Sequence, residues 1–324
     1  MSSQQLSSSS ELSSSSTSEL LRAQKPRRVR TCTSNLCGLP YWALGLVLLG
    51  VLAAILVPGA MILGRMKGQN PERRSQVLVP LYVYPGGDAW DPLIQAAQHY
   101  PHLDFTAVVN PANGPGPGAE PDGNYTLAIS RLNSYPNVRM VGYVATNWTN
   151  RDISLALAEI KTYSAWATNA GNPNLRLGGI FLDEAPTRWT AESQAYLEKV
   201  ADAIWGDAGL GMEPLVIQNP GAVPDSRFMY SCNVSVVFEE AYETYQNNDS
   251  HKIISDFEHS SGTERSAMAV LMHSLPATLS NKEQTSLVRN LKLVAGNVFL
   301  TGLSVDYYSS FGDGWGDFVD DMVR

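Results

Sequence analysis

Two apolar runs in this chain end in adjacent acids. "GIFLDEAP" (179–186) delivers Asp183 and Glu184, and "VVFEEAY" (236–242) delivers Glu239 and Glu240. Carboxylates facing one another across a cleft suit cleavage of a glycosidic bond: one protonates the leaving oxygen while the other attacks carbon or activates water. The plainer reading of either pair is helix initiation, since an acid after a strand favours a following helix N-terminus through capping or the dipole. That the arrangement occurs twice weighs toward chemistry.

The elements that would position these acids follow from hydrophobic periodicity. From about Gln76 onward, eight short β-branched or apolar runs alternate with longer stretches whose apolar residues recur at three and four: "DPLIQAAQHY", "NYTLAISRLNSY", "ISLALAEIKTYSAWATNAG", "TAESQAYLEKVADAIWGD" and "SNKEQTSLVRNLKLVAG". Strands alternating with helices predict a parallel sheet. Eight units in about 250 residues predict an α/β fold of the (β/α)8 TIM-barrel type. A doubly wound sheet is the alternative, but "VPLYVYPGGDAW" lacks the G-x-G-x-x-G loop that often follows its first strand. "NGPGPG" (113–118) alternates glycine with prolines that have no N–H for a phosphate nest, so it reads as a stiff surface loop.

A TIM barrel concentrates function at the C-terminal ends of its strands. Read in order, those ends are Tyr84, Asn110, Tyr143 with Thr146, Asp183 with Glu184, Asn219, Glu239 with Glu240, His273, and Asp306 with Tyr307. Asp183, Glu239 and Glu184 are the catalytic candidates. Tyr84, Asn110, Tyr143, Asn219, Glu240, Tyr242, His273 and Tyr307 are the candidates for holding substrate. Further aromatics at or just past strand ends, among them Trp90, Trp148, Trp189, Tyr245, Tyr308 and Trp315, offer faces on which sugar rings stack. The five histidines show neither H-E-x-x-H nor H-x-H, so no metal is expected. The sequence has no G-x-S-x-G elbow, and no cofactor is expected either.

The rest of the chain is organised differently. Residues 1–40 are serine-rich and then basic, which predicts a disordered tail. Residues 41–64 carry no charge and exceed the roughly 20 residues that cross a bilayer, predicting a retained signal anchor. Residues 65–76 form a linker and 77–324 the barrel. The N-x-[ST] acceptors Asn124, Asn147, Asn233 and Asn248 all follow the anchor. With a slight positive-inside bias they predict a single-pass type II membrane protein whose barrel is extracellular or lumenal. Residues 1–67 hold seven Lys/Arg against two Glu, a net of +5, leaving −13 of the total −8 on the remainder. So acidic a domain is a poor partner for nucleic acid. Cys32, Cys37 and Cys232 cannot build a disulfide scaffold. A monomer is expected.

"VPLYVYP", "VVNPANGPG", "VGYVATNW", "GIFLDEAP", "VIQNPG" and "VVFEEAY" together resemble the spherulation-specific family 4, or spherulin-4-like, proteins of fungi and slime moulds. The resemblance runs in order from about Leu78 to Tyr308. It implies glycoside hydrolase family 135, with endo-cleavage of α-1,4-linked N-acetylgalactosamine in the exopolysaccharide galactosaminogalactan. The family's acidic pair matches Asp183 and Glu184, and its later glutamate matches Glu239; the second acid, Glu240, is a departure. By this likeness Asp183 is nucleophile or stabiliser, Glu239 is general acid/base, and Glu184 orients substrate or tunes its neighbour. A glycan-binding cell-wall protein without turnover, or a hydrolase of another wall polysaccharide, remains the alternative, since a barrel does not fix a reaction.

Overall fold

In the computed structural model, the described residues are 74–324 apart from Asn248. The Ser-rich tail, the expected anchor, Cys32, Cys37 and the Asn248 acceptor therefore lie outside the described residues. Among those described, no helix is long and apolar enough to cross a membrane.

Eight parallel strands close into a barrel in sequence order. They are β1 (Gln76–Leu81), β2 (Phe105–Val109), β3 (Val138–Ala145), β4 (Gly179–Asp183), β5 (Leu215–Asn219), β6 (Val234–Ala241), β7 (Met268–His273) and β8 (Asn297–Leu300). Pairing of Gln76 with Asn297 and Val77 with Val298 joins the last strand to the first. The crossovers carry α1 (Asp91–His99), α2 (Gly123–Leu132), α3 (Ile153–Asn169), α4 (Ala191–Trp205), α5 (Tyr242–Asn247), α6 (Ser250–Ser261) and α7 (Asn281–Val294), and α8 (Trp315–Val323) follows β8. All five helices expected from periodicity are present. Between β5 and β6 a short 3-10 turn (Ser226–Ser231) stands where an α-helix was implied.

The strands are buried almost end to end, as both faces of a covered parallel sheet must be. Close packing fixes some residue choices outright. At Gly142 in β3 a Cβ would sit 2.7 Å from the ring of Tyr163, so only glycine lets α3 approach this closely. Helix starts are capped by side chains: Asp122 for α2, Asp152 for α3, Thr190 for α4, and a Ser280–Glu283 capping box for α7. Because α4 is capped by Thr190, neither Asp183 nor Glu184 serves as its cap.

Candidate active site

Register brings the polar strand ends level at the barrel mouth. Ala145 pairs with Asp183, and Asp183 with Asn219, across β3, β4 and β5. In β6 the ladder to β7 slips at Val237, leaving one extra residue between Val236 and Phe238. Such a bulge re-aims the side chains beyond it. Glu239 is thereby half-buried at the mouth, while Glu240 is exposed.

Asn219 is the hub. Its Nδ2 donates to Asp183 Oδ1 at 2.8 Å and to Glu239 Oε2 at 2.6 Å. Its Oδ1 accepts the Gly221 N–H at 3.0 Å, which turns the amide so that both N–H bonds face the acids. Gly221 (φ +67°) adopts the left-handed backbone this tight return requires, and its carbonyl accepts the Glu239 N–H. Both acid–amide bonds meet at one nitrogen. The facing oxygens can therefore lie no farther apart than 2.8 Å and 2.6 Å laid end to end, about 5.4 Å.

The outer oxygens are held by tyrosines. Tyr143 donates to Asp183 Oδ2 at 2.8 Å, and Tyr308 donates to Glu239 Oε1 at 2.6 Å. Tyr82 stands edge-on between them, 5.5 Å from each ring. Burial pushes the Glu239 carboxyl above its ordinary value; the negative charges of Asp183 and Glu240 add to the shift, and the bonds from Tyr308 and Asn219 oppose it. Burial, with the neighbouring carboxylates, also raises the hydroxyls of Tyr82, Tyr143 and Tyr308, so all three remain proton donors at any ordinary pH. Tyr82, Asp183, Glu239, Asp306, Tyr307, Tyr308 and Ser309 line an open cleft of about 640 Å³. One carboxylate here can attack while its neighbour, kept neutral more readily, gives up a proton.

Glu184 follows with a left-handed backbone (φ +54°). Its carbonyl accepts from the Thr146 hydroxyl at 2.8 Å and the Trp148 N–H at 2.7 Å. A non-glycine residue in this conformation costs roughly 1–2 kcal/mol, and such strain collects at functional sites.

The other expected positions divide. Tyr307 lines the cleft and stacks flat on His273, with centroids 4.0 Å apart. Burial lowers the His273 imidazole below its ordinary value, against the pull of Glu240. Tyr84 instead accepts a bond from Asn124 Nδ2 and packs on Tyr125, and Asn110 accepts the Gly114 N–H within its own loop. Tyr242 opens α5 and packs against the core. Trp90 and Trp315 are buried, their indole N–H groups bonded to the Val83 and Pro92 carbonyls. Tyr82 was not among the strand-end candidates. The signal for it is its place immediately after β1, two residues before Tyr84. Among the described residues no group of His, Cys, Asp and Glu is arranged to hold a metal.

The fold and this site define a (β/α)8 barrel protein with an amide-bridged carboxylate pair at its mouth. Residues 76–322 match the model of the spherulation-specific family 4, and the chain belongs to that family. It is 36% identical over 173 residues to Spherulin-4 of Physarum polycephalum, a match covering 53% of this chain and just under half, 47%, of the relative. It is also similar to the crystal structure of Aspergillus clavatus Sph3 in complex with GalNAc. That comparison gives 43% identity and a TM-score of 0.75, covering 78% of this chain and 98% of the other.

Proposed function

We propose that the barrel is a glycoside hydrolase acting on a polysaccharide, by endo-cleavage of α-1,4-linked N-acetylgalactosamine as in galactosaminogalactan. The observation that carries this reading is the Asn219 amide bridging Asp183 and Glu239. The GalNAc in the Aspergillus clavatus structure supports the choice of sugar.

A limit of about 5.4 Å between the facing oxygens favours the ~5–5.5 Å spacing of a retaining pair over the ~6.5–9.5 Å that leaves room for an inverting water. In this mechanism Asp183 attacks the anomeric carbon as the glycosidic C–O bond breaks, and the Glu239 proton goes to the departing oxygen. Glu239, now a carboxylate, takes a proton from water. That water attacks the same carbon and releases Asp183. Tyr143 and Tyr308 hold the two acids in place from outside, and Glu184 orients the sugar. An α-linked leaving group departs from the same face as the 2-acetamido group, which cannot reach the opposite face to displace it, so in a retaining reaction the nucleophile has to come from the protein.

We also propose that residues 41–64 anchor the chain in a membrane with the barrel outside the cytoplasm. Asn124, Asn147 and Asn233 are all exposed, which suits glycan attachment. A mobility shift of the full-length protein on enzymatic deglycosylation is expected; its absence in the native host would count against this placement.

The hydrolase is tested by incubating the full-length protein with α-1,4-linked N-acetylgalactosamine oligomers and reading products by mass spectrometry, beside Asp183→Asn and Glu239→Gln. Shorter oligomers are expected from the unmodified protein alone. Binding without cleavage by all three would replace the hydrolase with a glycan-binding protein.

A further inference from the structure

The loop after β3 presents an exposed tryptophan that the chemistry above does not use. Asn147, Trp148 and Thr149 are three consecutive non-glycine residues with left-handed backbone, at φ +49°, +50° and +67°. For a β-branched residue such as Thr149 that conformation is a true outlier. The loop is pinned nonetheless. Trp148 N–H bonds to the Glu184 carbonyl, and the Thr146 hydroxyl bridges the Asp183 and Glu184 carbonyls at 2.9 and 2.8 Å. Thr149 Oγ1 meets Ser193 Oγ at 2.9 Å, and Arg151 ties the loop to the Ala145 carbonyl and to Glu159.

So firm a backbone carries an indole that is 55% exposed, more than any other described tryptophan. Trp90 and Trp315 are buried, Trp189 lies under the Arg227 guanidinium at 3.9 Å, and Trp205 donates to Asn233. Trp148 stacks on no other ring among the described residues. It is not among the residues lining the Tyr307–Tyr308 cleft. Its loop follows β3, next to the strand that carries Asp183, whereas Tyr307 belongs to the loop after β8. Asp183, on β4, and Glu239, on β6, both lie on the arc of strands that runs from β3 to β8.

Resting on the hydrolase reading, we propose that Trp148 is the stacking platform of a distal subsite. It would take a pyranose ring of the polysaccharide beyond the residue being cleaved. A galacto-configured ring suits it, because the axial 4-hydroxyl leaves one face of the ring as a patch of C–H groups that lies flat on an indole.

The experiment measures kcat and KM of the full-length protein, Trp148→Ala and Trp148→Phe on α-1,4-linked N-acetylgalactosamine oligomers of increasing length. Trp148→Ala is expected to raise KM by about tenfold on the longest oligomers, a typical value for one aromatic stack, with the loss shrinking as the oligomers shorten. The effect falls on KM rather than kcat, and Trp148→Phe recovers most of it. An equal loss at every length, or no loss at any, overturns the subsite while leaving the hydrolase standing. A folded wild-type protein that neither binds nor cleaves these oligomers overturns the hydrolase reading and the subsite together.

Discussion

Two buried asparagines, one at each end of the barrel, show how the same side chain is put to opposite uses. At the floor, Asn297 opens β8; its Nδ2 donates to the Ser266 and Met268 carbonyls, and its Oδ1 accepts from Gln76 Nε2. Asn137, nearby in the chain before β3, likewise donates to the Ala97, Tyr100 and Leu103 carbonyls. These amides satisfy backbone groups that burial would otherwise leave unpaired, a structural task. At the mouth, Asn219 spends both donors on carboxylates and its acceptor on holding itself in position. Cavity size does not distinguish the ends: the larger cavity, about 770 Å³, includes Gln76, Tyr100 and Gly296 at the floor. What distinguishes them is whether the polar groups answer the backbone or one another.

The sharpest way to break this contrast is at the acids themselves. Asp183→Asn and Glu239→Gln are each expected to lower turnover by about 10²–10⁴-fold, measured on defined oligomers. Thermal unfolding gives a second reading on Glu239. Its carboxyl is raised in the folded protein, so its favourable share of stability is present below the ordinary carboxylate value and is lost as pH rises through the folded value. Glu239→Gln should therefore raise Tm relative to wild type at neutral pH, and the gain should vanish in acid.

The asparagines come next. Asn219→Ala removes the hydrogen bonds that hold both carboxyl groups, each worth about 1.5–3 kcal/mol where its partner is charged, and is expected to cut turnover by about 10–100-fold. Asn297→Ala should leave turnover per folded molecule alone and lower stability by ~1–3 kcal/mol for each buried group left unpaired. At ~2–4 °C per kcal/mol that loss is readable in a melting curve. If the two substitutions behaved alike, the division between mouth and floor would be wrong.

A smaller effect is expected in the pH profile. General acid catalysis requires protonated Glu239, so turnover should fall as pH climbs through a value above the ordinary carboxylate range. Tyr308 donates to Glu239 and favours its ionised form. Tyr308→Phe should move that alkaline limb higher still, a displacement that loss of packing alone would not produce. Smallest of all, Glu184→Gly relieves a left-handed residue and should raise stability by ~0.5–1 kcal/mol, because the ~1–2 kcal/mol of strain removed outweighs the ~0.5–1 kcal/mol that glycine's greater unfolded-state entropy costs.

The barrel was legible because eight apolar runs are interleaved with helical stretches, and the mouth was legible because parallel register carries Asp183 and Asn219 to the same height. Two details depended on geometry that the pattern does not encode. Which of Glu239 and Glu240 faces inward is decided by the bulge at Val237, which shifts a two-residue alternation by one. Which tyrosine of each close pair reaches the acids is a matter of loop geometry. Tyr82, directly after β1, and Tyr308, in the long loop after β8, frame the site while Tyr84 turns away to Asn124. The eighth strand was expected to end at Asp306 and Tyr307, but β8 stops at Leu300 and all beyond it is loop until Trp315.

The Asn219 bridge and the stereochemistry of cleavage stand or fall together. Proton NMR of the first-formed reducing end, recorded before mutarotation, reads the outcome directly. The bridged pair predicts the α-anomer, by way of a sugar carried on Asp183. Initial release of the β-anomer would mean that water attacks across a wider gap, and that Asp183 and Glu239 do not act as the close pair their shared amide defines.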